Sequence, residues 1–230
     1  MRVELYYERD SSAEAAGYAD WCCLHERDVP PGIETGHALW LDRAGLALLS
    51  AGYRKPFRLT PAMLDARSSG YSLLAKACAV GALMPTLFDP FIGFGLDALL
   101  LARLGCVVTG IERHPLVWLM VRNFATDLGL PLSASCGDGL QGLRNGTQRW
   151  DVVYLDPMFG PRKKRALPNR GLQHLQALSD DFCVDLHECL AAAQARANHR
   201  VVLKRRLKDP LTGKPAHQLR GHSVRFDVYL

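Results

Sequence analysis

No apolar run in the chain approaches the ~18–20 residues that a membrane-crossing helix needs; charge, proline or glycine breaks each one first. The residues before the first strand pattern, Met1-Arg2, lead into a charged segment and not an apolar leader, so secretion is not expected. Cys-x-x-Cys pairs are absent and the eight histidines show no ligand spacing, so no metal site is expected. The seven cysteines, with Cys22 and Cys23 adjacent, form no disulfide framework and suit a reduced, cytoplasmic protein. There is no glycine run closed by Gly-Lys-Ser/Thr and no Gly-x-Ser-x-Gly, so neither a P-loop nor a nucleophile elbow is indicated. Internal repeats and low-complexity tracts are missing as well.

What is present is an ordinary globular composition, 48% hydrophobic and 22% charged over 230 residues, enough for one good core and a small appendage. The formal charge of +5 is unevenly spread: residues 1–159 carry a net −3 and residues 160–230 a net +8. A polyanion touching the last third is the expectation from that asymmetry.

Strand-like and helix-like segments alternate with short links from residue 64 onward, which predicts a mostly parallel α/β sheet covered on both faces. Strands are expected near residues 86–89, 106–111, 132–136, 151–156, 200–204 and 224–230, with helices over 72–78 and 96–104 and from Pro115. Upstream, residues 2–7 read as an edge strand, 11–23 as a short helix, 28–36 as a turn, 38–41 as a strand and 42–49 as a helix or turn. The division expected is a small N-terminal α+β appendage over residues 1–62 and a catalytic domain over 63–230.

Residues 86–115 organise the chain. A short apolar run ends at Asp89, a turn carries Gly93 and Gly95, a helix follows, and a second strand ends at Glu112-Arg113. Glycines in such a turn let backbone amides approach a ligand, and an acid about twenty residues on can accept from ribose hydroxyls. The pattern is Gly-x-Gly only, because Ala98 stands where the third glycine would be, so two turn glycines between a strand and a helix is the competing reading. Asp89 can take hydrogen bonds from the loop or from a ligand. Asp97 reads as a ligand acid or as a first-turn acid stabilised by helix amides. Asp138 reads as an acceptor for an adenine amine or as the N-cap of a helix over 139–144.

The second constellation follows the fourth of these strands: Tyr154-Leu155-Asp156-Pro157-Met158-Phe159. Ligands of open α/β sheets bind beyond the carboxyl ends of the strands. There Asp156-Pro157 can offer acceptors to an amino group while Phe159 stacks on its ring. A strand-ending turn with an aromatic lid is the plainer alternative. Two basic runs, Arg162-Lys163-Lys164-Arg165 and the one opening with Lys204-Arg205, follow strand ends and read as a phosphate-binding rim or as a solvated face.

Together with Gly105-Cys106-x-Val108, Glu112-Arg113-x-Pro115, Val201-Val202-Leu203-Lys204-Arg205 and the closing run from Gly221 to Tyr229, these motifs resemble the bacterial small-subunit ribosomal RNA guanine-N2 methyltransferases, class I enzymes that use S-adenosylmethionine. The resemblance implies a doubly wound, seven-stranded sheet with an antiparallel last strand, and methyl transfer to a guanosine N2 in small-subunit rRNA, free or in an assembling subunit. It places S-adenosylmethionine against Asp89, Gly93, Gly95, Asp97, Glu112, Arg113, Asp138 and Asp156, and catalysis at Asp156, Pro157 and Phe159. Departures are Leu96 in place of an arginine, a depleted basic run over residues 65–70 and an inserted Gly160. Amino-methyl transfer to adenine N6 and a noncatalytic RNA-binding role are the alternatives.

Overall fold

Eleven strands in two sheets carry the site, in a computed structural model that describes residues 2–66, 71–81, 84–157, 173–175, 178 and 184–230. The first sheet holds β1 (Val3–Tyr7), β2 (Cys22–Glu26), β3 (His37–Asp42) and β4 (Gly45–Ser50) in the order β2-β1-β3-β4. β1 pairs in parallel with β2 and with β3, so the segment expected at an edge lies inside the sheet. The helix expected over 11–23 is only α1 (Ser12–Ala16). It stops at Gly17, and the apolar residues beyond it are free to lie along β1 as β2.

Residues 42–49, expected as helix or turn, form a hairpin arm instead. Asp42 Oδ1 accepts the Ala44 amide at 2.8 Å, Gly45 adopts a φ of 91°, and β4 runs back along β3. β4 buries Leu46 and Leu48 on one face and Ala47 and Leu49 on the other. With both faces buried the polar alternation that marks a strand is gone.

The second sheet is seven-stranded and mostly parallel: β5 (Thr86–Asp89), β6 (Val107–Glu112), β7 (Leu132–Cys136), β8 (Trp150–Leu155), β9 (Ala197–Arg206), β10 (His217–Arg220) and β11 (Val224–Tyr229), in the order β10-β11-β9-β8-β5-β6-β7. β11 is antiparallel to β9 and β10, as expected of the last strand. β10 was not expected, because a short edge strand with a polar sequence has no apolar signature. The order runs outward through β6 and β7 on one side of β5 and through β8 and β9 on the other. Between β5 and β8 the winding therefore reverses, and a crevice opens at their carboxyl ends.

Helices α2 (Pro61–Asp65), α3 (Tyr71–Ala77), α4 (Leu96–Arg103) and α5 (Pro115–Asp127) precede α6 (Gly139–Asn145) and α7 (Leu186–Arg196). Alternation along β8 sorts the faces. Val152 and Tyr154 join the core under α4 and α5, while Val153 and Leu155 join Phe88, Trp150 and Leu190 of α7. α5 touches β6 and β7 on one side and β4 of the first sheet on the other.

Candidate active site

The carboxyl ends of β5, β6, β8 and β9 bring the predicted residues together. The loop after β5 turns at Gly93 and Gly95, with φ of 54° and 68°. A Cβ on Gly95 would come within 2.9 Å of Val121 Cγ1, so backbone conformation and space both demand glycine there. Glu112, the last residue of β6, clasps this loop: Oε2 accepts the Gly93 amide at 2.9 Å and Oε1 the His114 amide at 2.7 Å. Burial pushes the Glu112 carboxyl above its ordinary value, against the pull of those amide bonds and of Arg113. An ionised carboxylate has about four acceptor sites, so ribose hydroxyls and the two amides fit the same group.

Asp89 is buried at the end of β5 and accepts the Phe91 amide at 3.0 Å. Burial holds its carboxyl well above the ordinary range, and repulsion from Asp156 and Asp97 adds to this. Asp138 does cap α6, accepting the Gln141 amide at 2.9 Å. The Gly137 amide bonds the Glu112 carbonyl at 2.9 Å, and a Cβ on Gly139 would overlap the Pro90 carbonyl, so Asp138 is packed next to the ends of β5 and β6. The cap and the cofactor position are thus compatible.

Asp156 stands one residue beyond Leu155, which pairs with Leu203; Lys204 stands one beyond Leu203, so the two share a face. Lys204 Nζ donates to Asp156 Oδ2 at 2.7 Å and also to Asp97 Oδ2, from the first turn of α4. Tyr154, two residues before Asp156 and fully buried, donates its hydroxyl to Asp97 Oδ2 at 2.7 Å. Burial opposes the ammonium, yet Asp156 and Asp97 outweigh it and hold the Lys204 pKa above its ordinary value. Lys204 is therefore a cation locked between two acids.

This corrects the expected basic rim. The Lys204 side chain is only 14% exposed, and Arg205 is buried and paired with Asp209 at 3.5 Å. Neither offers its charge to a polyanion at the surface, because strand residues inside a sheet must find partners within the protein. Lys204, expected on the RNA-binding rim, belongs instead to the acid cluster of the crevice, and Tyr154, expected only as part of the strand before Asp156-Pro157, joins it there. The available signal was a lysine following Val201-Val202-Leu203 in a buried strand, where a charge requires a counter-charge. Phe159, Arg162, Lys163, Lys164 and Arg165 lie outside the described residues.

Among the described residues no group of three or more metal-capable side chains occurs, and no helix is long and apolar enough to cross a membrane. A reversing parallel sheet, a glycine turn clasped by an acid at the end of the next strand, and Asp-Pro beyond the fourth define a class I S-adenosylmethionine-dependent methyltransferase. Residues 66–230 match the family described as "Putative SAM-dependent methyltransferase". The chain is 36% identical over 212 residues to the ribosomal RNA small subunit methyltransferase J of Magnetococcus marinus, with 83% of each chain covered. To the protein of that name from Ectopseudomonas mendocina it is 34% identical over 222 residues, covering 87% of this chain and 85% of the other. A crystallographically solved SAM-dependent methyltransferase from Neisseria gonorrhoeae superposes with a TM-score of 0.73 at 26% identity, over 99% of this chain and 95% of that one. The chain belongs to the ribosomal RNA small subunit methyltransferase J family, and its cofactor is S-adenosylmethionine.

Proposed function

We propose that the protein methylates the exocyclic N2 of a guanosine in small-subunit ribosomal RNA, acting in the cytoplasm on rRNA or on an assembling small subunit. The observation that carries this reading is the Asp156 carboxylate, fixed beside Pro157 at the end of β8 by Lys204. When bound, S-adenosylmethionine supplies an electrophilic methyl group on a positively charged sulfur. Gly93 and Gly95 bring the loop backbone close to it, Glu112 takes ribose hydroxyls, Arg113 borders the same pocket, and Asp138 accepts from the adenine amine. Asp97, Lys204 and Asp156 together carry one net negative charge, opposite in sign to a sulfonium.

The N2 lone pair of guanine is delocalised into the ring, so the amine is a weak nucleophile. An ionised Asp156 that accepts an N2 hydrogen draws the lone pair out of conjugation and would receive the proton at a carboxylate oxygen as the N–C bond forms and the methyl–sulfur bond breaks, leaving a neutral thioether. Phe159 stacks on the base, and Arg162, Lys163, Lys164 and Arg165 hold RNA phosphates. Because N2 lies on a base edge, the nucleotide must be unpaired or turned out of its helix, at a cost of a few kcal/mol if it was stacked.

Incubating the protein with small-subunit rRNA and labelled cofactor, followed by nucleoside mass spectrometry, should yield N2-methylguanosine. Label found in N6-methyladenosine would replace the reading. Asp156→Ala should lower turnover by about 10²–10³-fold while calorimetric cofactor binding persists. Near-normal turnover in that variant would remove Asp156 from the mechanism.

A further inference from the structure

Away from the catalytic crevice, the first sheet carries a cavity of about 600 Å3 between the loop that precedes β3 and the loop that follows β4. Pro31, Ile33, Ser50, Tyr53, Arg54 and Pro56 are among its lining residues, and no carboxylate is. Such a volume accommodates a small organic ligand. The loop after β4 reads Tyr53-Arg54-Lys55-Pro56-Phe57-Arg58, aromatic and basic residues interleaved. Phe57 is spent in the core, and Arg58 on Asp42 and the Gly45 carbonyl. Tyr53, Arg54 and Lys55 stay exposed. Arg54 and Lys55 have no ion-pair partner among the described residues.

The tyrosine is braced. Its ring lies 4.3 Å from that of His174, which is buried, hydrogen-bonded through Nδ1 to Ser50 Oγ at 2.9 Å and 5.0 Å from the Phe57 ring. Tyr53 nonetheless keeps 37% of its surface exposed, so the ring is held in place while part of it remains open to a ligand. The same layer reaches the glycine loop: Phe57 lies 4.8 Å from Phe94, and Leu175 Cδ1 lies 3.6 Å from where a Cβ on Gly93 would stand. The cavity is therefore one aromatic layer away from the cofactor cradle.

We propose that this cavity takes one unpaired nucleotide of the substrate RNA flanking the methylated one, its base stacked on Tyr53 and its phosphate held by Arg54 and Lys55. The inference rests on the rRNA reading above and gives the first sheet a part in it. A braced aromatic beside two exposed cations matches the two components of single-strand recognition, stacking and phosphate neutralisation. Stacking on an aromatic tolerates any base, so this contact sets affinity and register, and the identity of the target stays with the crevice.

The test compares wild type, Tyr53→Ala, Tyr53→Phe and the double variant Arg54→Ala/Lys55→Ala, all full-length, on deproteinised small-subunit rRNA. Tyr53→Ala should raise KM for RNA roughly tenfold with calorimetric cofactor affinity unchanged, and Tyr53→Phe should restore it. The double variant should reduce the slope of log affinity against log salt by about 1–2, measured by filter retention of a short single-stranded RNA. Unaltered KM and salt slope in folded variants, checked by thermal melts, would overturn the proposal. So would a defect seen on protein-containing subunits but not on deproteinised rRNA, because the occupant would then be a protein. If wild type methylates neither deproteinised rRNA nor small subunits, the catalytic reading falls, and filter retention alone decides the cavity.

Discussion

Lys204 shows how a single side chain can set the working range of the site. Its ammonium lies between Asp156 and Asp97, with the Tyr154 hydroxyl on Asp97 and with Asp89 and the Cys78 thiol close enough to sense the same charges. Lys204→Met would leave two carboxylates facing each other, and they would titrate as a pair with one proton held more tightly. The acid limb of the kcat/KM profile should move to higher pH by about one unit or more, with activity partly regained in alkali and largely kept in Lys204→Arg. A uniform loss at every pH would reduce the lysine to a packing role. Asp89 gives a second pH signal, this time in stability. Its folded pKa is raised above the ordinary 3.8 by burial, so the native state binds that proton more tightly than the unfolded chain. The stability this gives at acid pH declines as pH rises above that value. Asp89→Asn removes the decline: its Tm should match wild type near pH 4 and exceed it near pH 8, while cofactor affinity falls.

Among the elements, the loop between β5 and α4 is the most demanding. Gly95→Ala should cost about 1–3 kcal/mol, from left-handed strain and the approach to Val121, and should weaken cofactor binding. Thermal melts and calorimetry read both effects, and an unchanged Tm would show that α5 gives way instead. This unit was legible because its instructions are local: an apolar run, two glycines, a helix and an acid fall in one thirty-residue stretch. Pro115 at the start of α5 and Asp138 at the start of α6 were legible for the same reason. β2 and β4 were not. β2 is an edge strand with only Cys22 buried, held by its pairing with β1, while β4 is buried on both faces, and a two-sided burial pattern in a short segment looks like a helix face. Lys204 and Arg205 misled for a related reason. In sequence they open a basic run with Arg206 and Lys208, but Lys204 turns inward to Asp97 and Asp156 from distant segments and the buried Arg205 pairs with Asp209 four residues on. Charge counted along the chain does not say which charges remain at the surface.

At the scale of the molecule the same sequestration thins the basic last third: Lys204, Arg205 and Arg225 all hold acids, and Arg225 with Asp227 is almost fully buried. Arg225 also donates to the carbonyls of Arg206, Leu207, Asp209 and Pro210, tying the loop before β10 to β11. The two sheets are joined comparably. One continuous core holds Val3, Leu5, Leu39, Leu41 and Leu48 of the first sheet together with Leu99, Val108, Leu119 and Val202 of the second unit. Across that junction Trp21 meets Trp118 of α5 edge-on at 5.6 Å, the Arg122 guanidinium sits 4.4 Å over the Trp21 ring, and Tyr18 donates to Asn123. An appendage over residues 1–62 that folded by itself would not share its core in this way. We therefore expect one calorimetric transition with equal van't Hoff and calorimetric enthalpies. Removing residues 1–62 should strip the cover from α5 and leave an apolar surface that aggregates. Two separated transitions, or a soluble truncated chain that still binds the cofactor with full affinity, would show that the first sheet is a detachable module. In that event it would contribute to substrate recognition alone.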